Sequence, residues 1–553
     1  MKKYTFRSSV LALALTALAV SCNSIDSGDD EGGGGSVINN PVVSDATALS
    51  TVNGVYSKWQ PLSSSFTFVI ELNSNKMISF EGEESKEGPL NSRFEQAADT
   101  WYQRKIFNNL FLGISADNDN INLVNAAFKA GKLTQQGYDA AIGKAKLLRG
   151  LAYLYLVQLW GEVPVFTEGG GSATERKSID EVYNQIVDDL TDAERLLKDY
   201  NGDPVTPSKQ AAQALLARTY LAWGDNPLSY AEVQKIAETQ TDPQFTKTDS
   251  RLEKAVEYAD KVINSHLLGL DPDFSKLFGR DYESNKRGTN EHLFTIKHDG
   301  DKNDAQGNHQ THCAWTFPFQ NGENGRAFNE IHTEVADINL YDDWKAEQPN
   351  DKRLAKTYFT SLKNPEDGFT YTYYSPIYTP INGKGVDQSY EDAENLEITQ
   401  NSVDRIEVRY AEVLLTKAEA LVQLGRNSEA AAPFNELRKR AGIATVDAPT
   451  FDQIKREWDY EFTYEQKSLL NNLRWKDLIA SVKKVKNYEH FDNSYASEGA
   501  TGRDGSKVSS FFAKVHKHLV AKYNNVKGRH YRQPIPQGLK GEDLGILPQN
   551  PGY

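Results

Sequence analysis

Apolar residues recur three and four positions apart from Tyr138 to Trp160. Ile142, Ala145, Leu148, Ala152, Tyr155 and Leu159 fall on one stripe, the period of a single α-helical face. Gly161 and then Pro164 end that helix. A second helix is predicted from Ser178, where Glu181 completes a capping box ahead of Val182, Ile186, Leu190, Ala193 and Leu197. A third is expected after Thr206-Pro207, read as an N-cap followed by Pro at the first helical position. It runs through Ala211, Leu215, Leu216, Thr219 and Trp223 to Gly224. A fourth spans Arg251 to about Asn264, with Leu252, Ala255, Val256, Ala259 and Ile263 on one side. The helical period resumes near Arg405. Ala411, Leu414, Leu415, Ala418 and Leu421 precede Gly425, and Ala430, Ala431, Phe434, Leu437 and Ala441 precede Gly442.

Ala418 to Ala441, with a glycine at its turn and alanines at its contact positions, resembles a tetratricopeptide helix–turn–helix unit. The fold class is therefore mostly α. Tetratricopeptide-like helix pairs stack into an α-superhelical scaffold over about 105–265 and 405–485. Between Leu267 and Asp404 the period fails. Gly, Asn, Asp and Pro are frequent there, and so are aromatics: Trp315, Phe317, Phe319, Phe328, Tyr341, Trp344, Tyr371, Tyr373, Tyr374 and Tyr378. This predicts an irregular aromatic-rich lobe over about 267–404. Residues 53 to 102, with Trp59, Phe66, Phe68 and Trp101, share that character. Irregular segments of such length are usually where function resides.

The first residues read as an address. Lys2, Lys3 and Arg7 precede Val10 to Val20, where Thr16 is the only polar residue. Eleven residues rise only about 16 Å as a helix, short of the roughly 30 Å hydrocarbon core. The run is a signal-peptide core and not a membrane span. Leu18-Ala19-Val20-Ser21-Cys22 resembles a bacterial lipobox, with the leucine one place further from the cysteine than usual; an ordinary cleavage site with an incidental cysteine is the alternative. The expected organisation is a lipoprotein signal peptide at 1–21, lipidated Cys22 and a flexible acidic, Gly-rich tether over 22–40, and one domain over 41–553. The acidic stretch after Cys22 resembles the surface-export signal of Bacteroidetes lipoproteins.

Composition narrows the function. The chain has 62 Lys+Arg against 76 Asp+Glu, a net charge of −14, which argues against nucleic acid as a partner. Its two cysteines cannot form a disulfide framework or a four-thiolate zinc site. With Cys22 lipidated, Cys313 has no partner. The chain also carries 8 Trp, 27 Tyr and 24 Phe, more aromatic surface than the predicted helical stripes use.

Several blocks along the chain resemble the SusD/RagB family of Bacteroidetes surface lipoproteins. They are Ala145-Lys146-Leu147-Leu148-Arg149-Gly150 through Leu159-Trp160-Gly161-Glu162-Val163-Pro164, Arg409-Tyr410-Ala411-Glu412 with Ala418-Glu419-Ala420, and Phe434-Asn435-Glu436-Leu437-Arg438. Glu457, Glu461 and Phe462, Leu473-Arg474-Trp475-Lys476-Asp477-Leu478, Pro534-Ile535-Pro536 and Gln549-Asn550-Pro551-Gly552-Tyr553 complete the series. The shared blocks themselves read as structural, with Arg474 and Asp477 pairing and capping inside the scaffold. The resemblance implies a glycan-binding lipoprotein of the outer membrane, facing the cell surface. It would capture an oligosaccharide or polysaccharide and deliver it to a SusC-like TonB-dependent transporter, without catalysis and without a cofactor.

A sugar offers C–H faces that stack on aromatic rings and hydroxyls that need polar partners. The candidate platforms are Trp315, beside the Asn321-Gly322-Glu323-Asn324-Gly325 turn, then Trp101, ahead of a helix, then Tyr373 and Tyr371, which share one face of a predicted strand. Asn321, Arg326, Asn91 and Arg93 are polar candidates by adjacency. Each aromatic also reads as core packing. Trp344, next to Asp351-Lys352-Arg353, is set aside as structural. No catalytic residue and no metal ligand is assigned. His309, His312 and Cys313 cluster without a metal-ligand spacing, and Asp117-Asn118-Asp119-Asn120, the candidate for a structural calcium, lacks the Gly and terminal Glu of an EF-hand loop. A glycoside hydrolase and a structural adhesin that binds protein partners remain the rival readings.

Overall fold

Ser178 Oγ accepts the Glu181 N–H at 3.3 Å, while the Glu181 carboxylate accepts the Ser178 N–H at 2.8 Å. The predicted capping box thus opens a helix over Ile179–Leu196, and the same local logic builds most of the chain. In the computed structural model, residues 41–79, 87–98, 100–167, 175–279, 288–298, 338–363, 380–384, 404–484, 508–536 and 547–553 are described, with short strands at 320–321, 327–328, 334–336, 370–373 and 376–377. The principal helices are α1 (Asp45–Asn53), α2 (Trp101–Lys129), α3 (Gln135–Trp160), α4 (Ile179–Leu196), α5 (Lys209–Gly224), α6 (Asp249–Ile263), α7 (Ile338–Glu347), α8 (Tyr410–Gln423), α9 (Asn427–Ala441), α10 (Phe451–Phe462), α11 (Ser468–Arg474) and α12 (Val508–Asn525).

Helices α2 to α6 each pack on the next, and α6 packs on α8, which pairs with α9. The helical stack is therefore continuous in space although residues 264–409 separate α6 from α8 in sequence. This is the tetratricopeptide-like, mostly α architecture that the apolar stripes predict. One buried cluster runs through it, from Leu148, Tyr155 and Leu159 to Leu215, Ala255, Leu415 and Phe434. Gly442 closes α9 in the left-handed region, φ 77°, and Ile443 N–H returns to the Arg438 carbonyl at 3.0 Å, a Schellman ending. Among the described residues no helix is long and apolar enough to cross a membrane.

Three local expectations need correction. The N-cap of α5 is Ser208, whose Oγ accepts the Ala211 N–H at 3.2 Å. The Thr206 hydroxyl is already committed to Asp203, at 2.7 Å, so Pro207 precedes the cap. Strand β11 (Arg405–Arg409) is antiparallel to β2 (His292–Ile296), and the helix begins only at Tyr410. Residues 53–71 are largely helical, in short turns including a π-helical turn at Thr67–Glu71. Their Trp59, Phe66 and Phe68 are all buried.

The described parts of the irregular lobe carry small sheets. Strand β1 (Met77–Ser79) pairs with β5 (Glu334–Ala336), β3 (Gln320–Asn321) with β4 (Ala327–Phe328), and β6 (Tyr358–Phe359) with β10 (Ile381–Asn382). Strand β8 (Thr370–Tyr373) lies between β7 (Ser361–Lys363) and β9 (Pro376–Ile377). A core of its own holds this region to the scaffold. In it Phe68, Leu72 and Met77 meet Tyr341, Trp344, Tyr358, Tyr460 and Tyr464. Trp344 is wholly buried and donates to Asp351 at 3.0 Å, a core residue as expected.

A buried ion network reinforces the same junction. Arg353 meets Asp351 at 2.7 Å, Glu457 at 2.6 Å and Glu461 at 2.7 Å. Arg409 meets Glu291 at 2.7 Å, Glu461 at 2.5 Å and Glu465 at 2.8 Å. Arg440, Arg438 and Lys384 join through Glu291, Glu461, Glu457 and Glu465. Five cations thus face five carboxylates, the condition under which buried charge is tolerated.

Candidate functional site

Trp101 is the first residue of α2, where backbone N–H groups lack intrahelical partners. The Glu87 carboxylate supplies them, accepting from Trp101 N–H at 2.6 Å and Tyr102 N–H at 3.3 Å. A carboxylate at a helix N-terminus is also favoured by the helix dipole. The Trp101 ring is therefore set by a fixed backbone. Trp101 stays 36% exposed, and Tyr523 is a second aromatic left exposed, at 42%.

The indole is also held laterally. Tyr102 meets it edge-on at 5.0 Å and is itself stacked on Phe68 at 4.1 Å. The Lys105 ammonium lies 4.3 Å above the indole ring, a cation–π contact. Along the same side of α2, Arg104, Lys105 and Asn108 are partly exposed and Leu112 is half exposed. The result is an aromatic surface with cationic groups one helical turn away and an amide two turns away, the combination a sugar needs.

The sequence-predicted residues part here. Trp101 is exposed at a helix start, as expected. Asn91 is fully buried. Its Oδ1 accepts from Gln103 and its Nδ2 donates to the Glu87 carbonyl at 3.0 Å. It supports the Glu87 turn beneath Trp101 and has no free amide for a ligand, because α2 packs over it. Arg93 pairs with Glu95 at 2.8 Å. Asn321 lies in β3, and Tyr371 and Tyr373 lie in β8, the strand their alternation predicted. Trp315, Arg326 and Cys22 fall outside the described residues, as do His309, His312 and Cys313.

Glu87 and Lys105 were missed. Lys105 stands four residues after Trp101 on a predicted helix, so its position was legible. Glu87 acts across fourteen residues of irregular chain, with no local signal. Tyr523, on α12, was missed too, and the Lys483 ammonium lies 5.1 Å from its ring.

The calcium candidate fails on geometry. Asp117-Asn118-Asp119-Asn120 lies within α2, so its side chains radiate around the helix instead of converging. Asp117 is buried, its oxygens accept no hydrogen bond, and burial pushes its carboxyl well up, which favours the protonated form over a metal-binding carboxylate. Asn118 accepts from Arg149 at 2.5 Å. Among the described residues no three His, Cys, Asp or Glu side chains converge as a metal would need. His292 and His298 are buried and bonded to carbonyl or hydroxyl groups.

The family-like blocks have structural roles, as expected, but one pairing differs. Arg474 binds Asp225 at 2.8 Å and also Glu419, while Asp477 binds Lys455 at 2.7 Å. Arg474 and Asp477 do not pair, because Arg474 is turned toward α8.

Comparison with known proteins agrees with this architecture. The SusD family model matches residues 180–553, and a model described as starch-binding associating with outer membrane matches residues 64–221. SusD-like protein P2 of Formosa agariphila is 27% identical over 431 residues, 75% of this chain and 74% of that protein. The starch-binding protein SusD of Bacteroides thetaiotaomicron is 24% identical over 371 residues, 58% of this chain and 61% of that protein. Among solved structures, a SusD homolog from Bacteroides thetaiotaomicron superposes with a TM-score of 0.71 at 19% identity, covering 93% of this chain and 98% of that one. The surface glycan-binding protein A of Bacteroides thetaiotaomicron, in complex with laminarihexaose, gives 0.65 at 17% identity, over 92% and 100%.

Proposed function

The chain belongs to the SusD family, and from that premise we propose that it is a glycan-binding protein of the outer-membrane surface, anchored through Cys22, that passes oligosaccharides to a TonB-dependent transporter. Relatives named as starch-binding and as holding laminarihexaose or a xylogluco-oligosaccharide support a glycan as the ligand class. The family description "associating with outer membrane" supports the location. The observation that carries the reading to particular residues is Trp101: a tryptophan fixed by Glu87 and Tyr102, left exposed, with polar side chains one turn away. Holding the ring in one pose lowers the ordering cost of binding.

The protein acts as a binder and not a hydrolase. Its described buried carboxylates at the lobe junction are tied to arginines, which leaves no acid–base pair there. Affinity electrophoresis in starch, laminarin or xyloglucan tests the reading. Retardation in at least one gel, with no reducing sugar released, is expected. Trp101→Ala should weaken binding by about tenfold or more, about 1.4 kcal/mol. Retardation unchanged in Trp101→Ala would remove Trp101 from the site. Sugar release that survives repurification would replace the binder with an enzyme.

A further inference from the structure

The first described residues meet the scaffold at the end of α2 opposite Trp101. Val42 is buried with Ile121, Val124 and Ala127 of α2 and Leu133 of the turn into α3. Asp45, which opens α1, accepts the Thr134 N–H at 2.9 Å and the Thr134 hydroxyl at 2.5 Å. The N-terminal segment is thus fixed to the α2–α3 corner. A single helix runs from Trp101 to Lys129, so about 42 Å separates the exposed indole from this corner.

The corner itself is rigid and projects outward. Lys132 N–H returns to the Ala127 carbonyl at 3.0 Å and Gly131 N–H to that of Phe128 at 2.9 Å, with Gly131 at φ 69°, a Schellman ending. A Cβ at Gly131 would meet no atom within 4 Å. Lys129 and Lys132 flank it, both exposed, and among the described residues neither forms an ion pair. Val43, next to the buried Val42, is 52% exposed. Although 76 of the 553 residues are acidic, none lies between Asn120 and Tyr138. The acids that flank the corner are engaged, Asp45 by Thr134 and Asp139 by Gln135 at 2.8 Å. At the opposite end the cations have partners: Arg93 pairs with Glu95 and Lys105 lies over Trp101.

We propose that the α2–α3 corner is a membrane-facing surface, which rests on phosphate-bearing lipid headgroups through Lys129, Lys132 and Val43 and holds the Trp101 platform away from the bilayer. The inference rests on the reading of Cys22 as the anchor. As a Gly-rich coil, the stretch from Cys22 to Asn40 has a root-mean-square reach of roughly 24 Å, shorter than α2. Bringing the Trp101 end to the lipid lifts the corner by the length of that helix and stretches the coil, at a cost in chain entropy. Each lysine within a Debye length of an anionic surface strengthens contact about fivefold. An acyl anchor joined to basic residues also holds more firmly than the anchor alone. The chain as a whole, at −14, is repelled by the same surface, so the acid-free corner is the part that approaches it. The competing occupant is the acidic part of the tether, Asp26, Asp29, Asp30 and Glu31. Headgroups are favoured over it because they order no chain segment, and exposed side-chain ion pairs contribute little.

Energy transfer to a dye-labelled bilayer tests the orientation. The full chain, acylated at Cys22 and carrying Cys313→Ser, is placed on vesicles of phosphatidylcholine and phosphatidylglycerol in equal parts, and on phosphatidylcholine alone. On the anionic vesicles, transfer from a donor at Ala130→Cys should exceed that from Arg104→Cys about threefold or more, given the length of α2. Lys129→Gln with Lys132→Gln should bring that ratio down to its value on phosphatidylcholine, and change nothing on the neutral vesicles. Equal transfer from the two positions on anionic vesicles, or more from residue 104, overturns the proposal. So does a lysine effect that persists on neutral vesicles and vanishes when Asp26, Asp29, Asp30 and Glu31 are neutralised, since the lysines then hold the tether. A chain that floats with neither vesicle refutes the Cys22 anchor and this surface with it. One that floats without a positional difference refutes the surface alone.

Discussion

Glu71 ends the π-helical turn wholly buried, with the Ser468 hydroxyl donating to it at 2.6 Å. Burial pushes its carboxyl up to about 7. Between about pH 4.5 and 7 the native chain keeps a proton that the unfolded chain has released. Stability from this group therefore falls as pH rises through that window, by about 3 kcal/mol in total. Glu71→Gln should remove the loss. Its melting temperature relative to wild type should rise from pH 5 to pH 8, and an equal difference at both pH values would refute the assignment. His518, His530 and His292 work in the opposite sense: burial holds them neutral, down to about 2, 3 and 4, so their share of stability is lost as pH falls below about 6.5. Sequence could locate Trp101 ahead of a helix, and Lys105 one turn on. It could not tell that Asn91, of the same chemical type as a sugar ligand, would be covered by α2. Burial is decided by what packs above a residue, and that is not a local property.

Among elements, legibility followed the range of the interactions. The α4 capping box joins residues three apart, so it was visible in sequence and is present. Ser178→Ala should cost about 1 kcal/mol of stability, measured by urea denaturation, with glycan retardation unchanged. Helices with strong apolar stripes came out within a few residues of their predicted ends. The errors lie where a distant group competes. Thr206 lost its capping role to Asp203. Arg405–Arg409 became a strand because His292–Ile296 offers it a ladder. Arg474 turned from Asp477 to Glu419, 55 residues away.

For the whole molecule, the ion network ties lobe to scaffold. Arg353 and Lys384 come from the lobe, Arg409 from the strand leading into α8, and Glu457, Glu461 and Glu465 from α10 and the turn after it. Removing one member leaves buried carboxylates uncompensated. Arg409→Met should therefore destabilise the protein by about 3–5 kcal/mol, seen as a lower urea midpoint, and a midpoint unchanged from wild type would mean that the network relaxes without it. The sequence by itself determined the helical class, the helix pairs, the Ser178 capping box and the family, because hydrophobic period and capping are local codes. Only the tertiary structure decided that α6 stacks on α8 across the intervening lobe. The fold likewise decided that the block arginines neutralise a buried core, and that Trp101 stays exposed while Trp59, Phe66 and Trp344 do not. Those outcomes depend on which distant surfaces meet, and on the need to pair every buried charge, which no single stretch of sequence records.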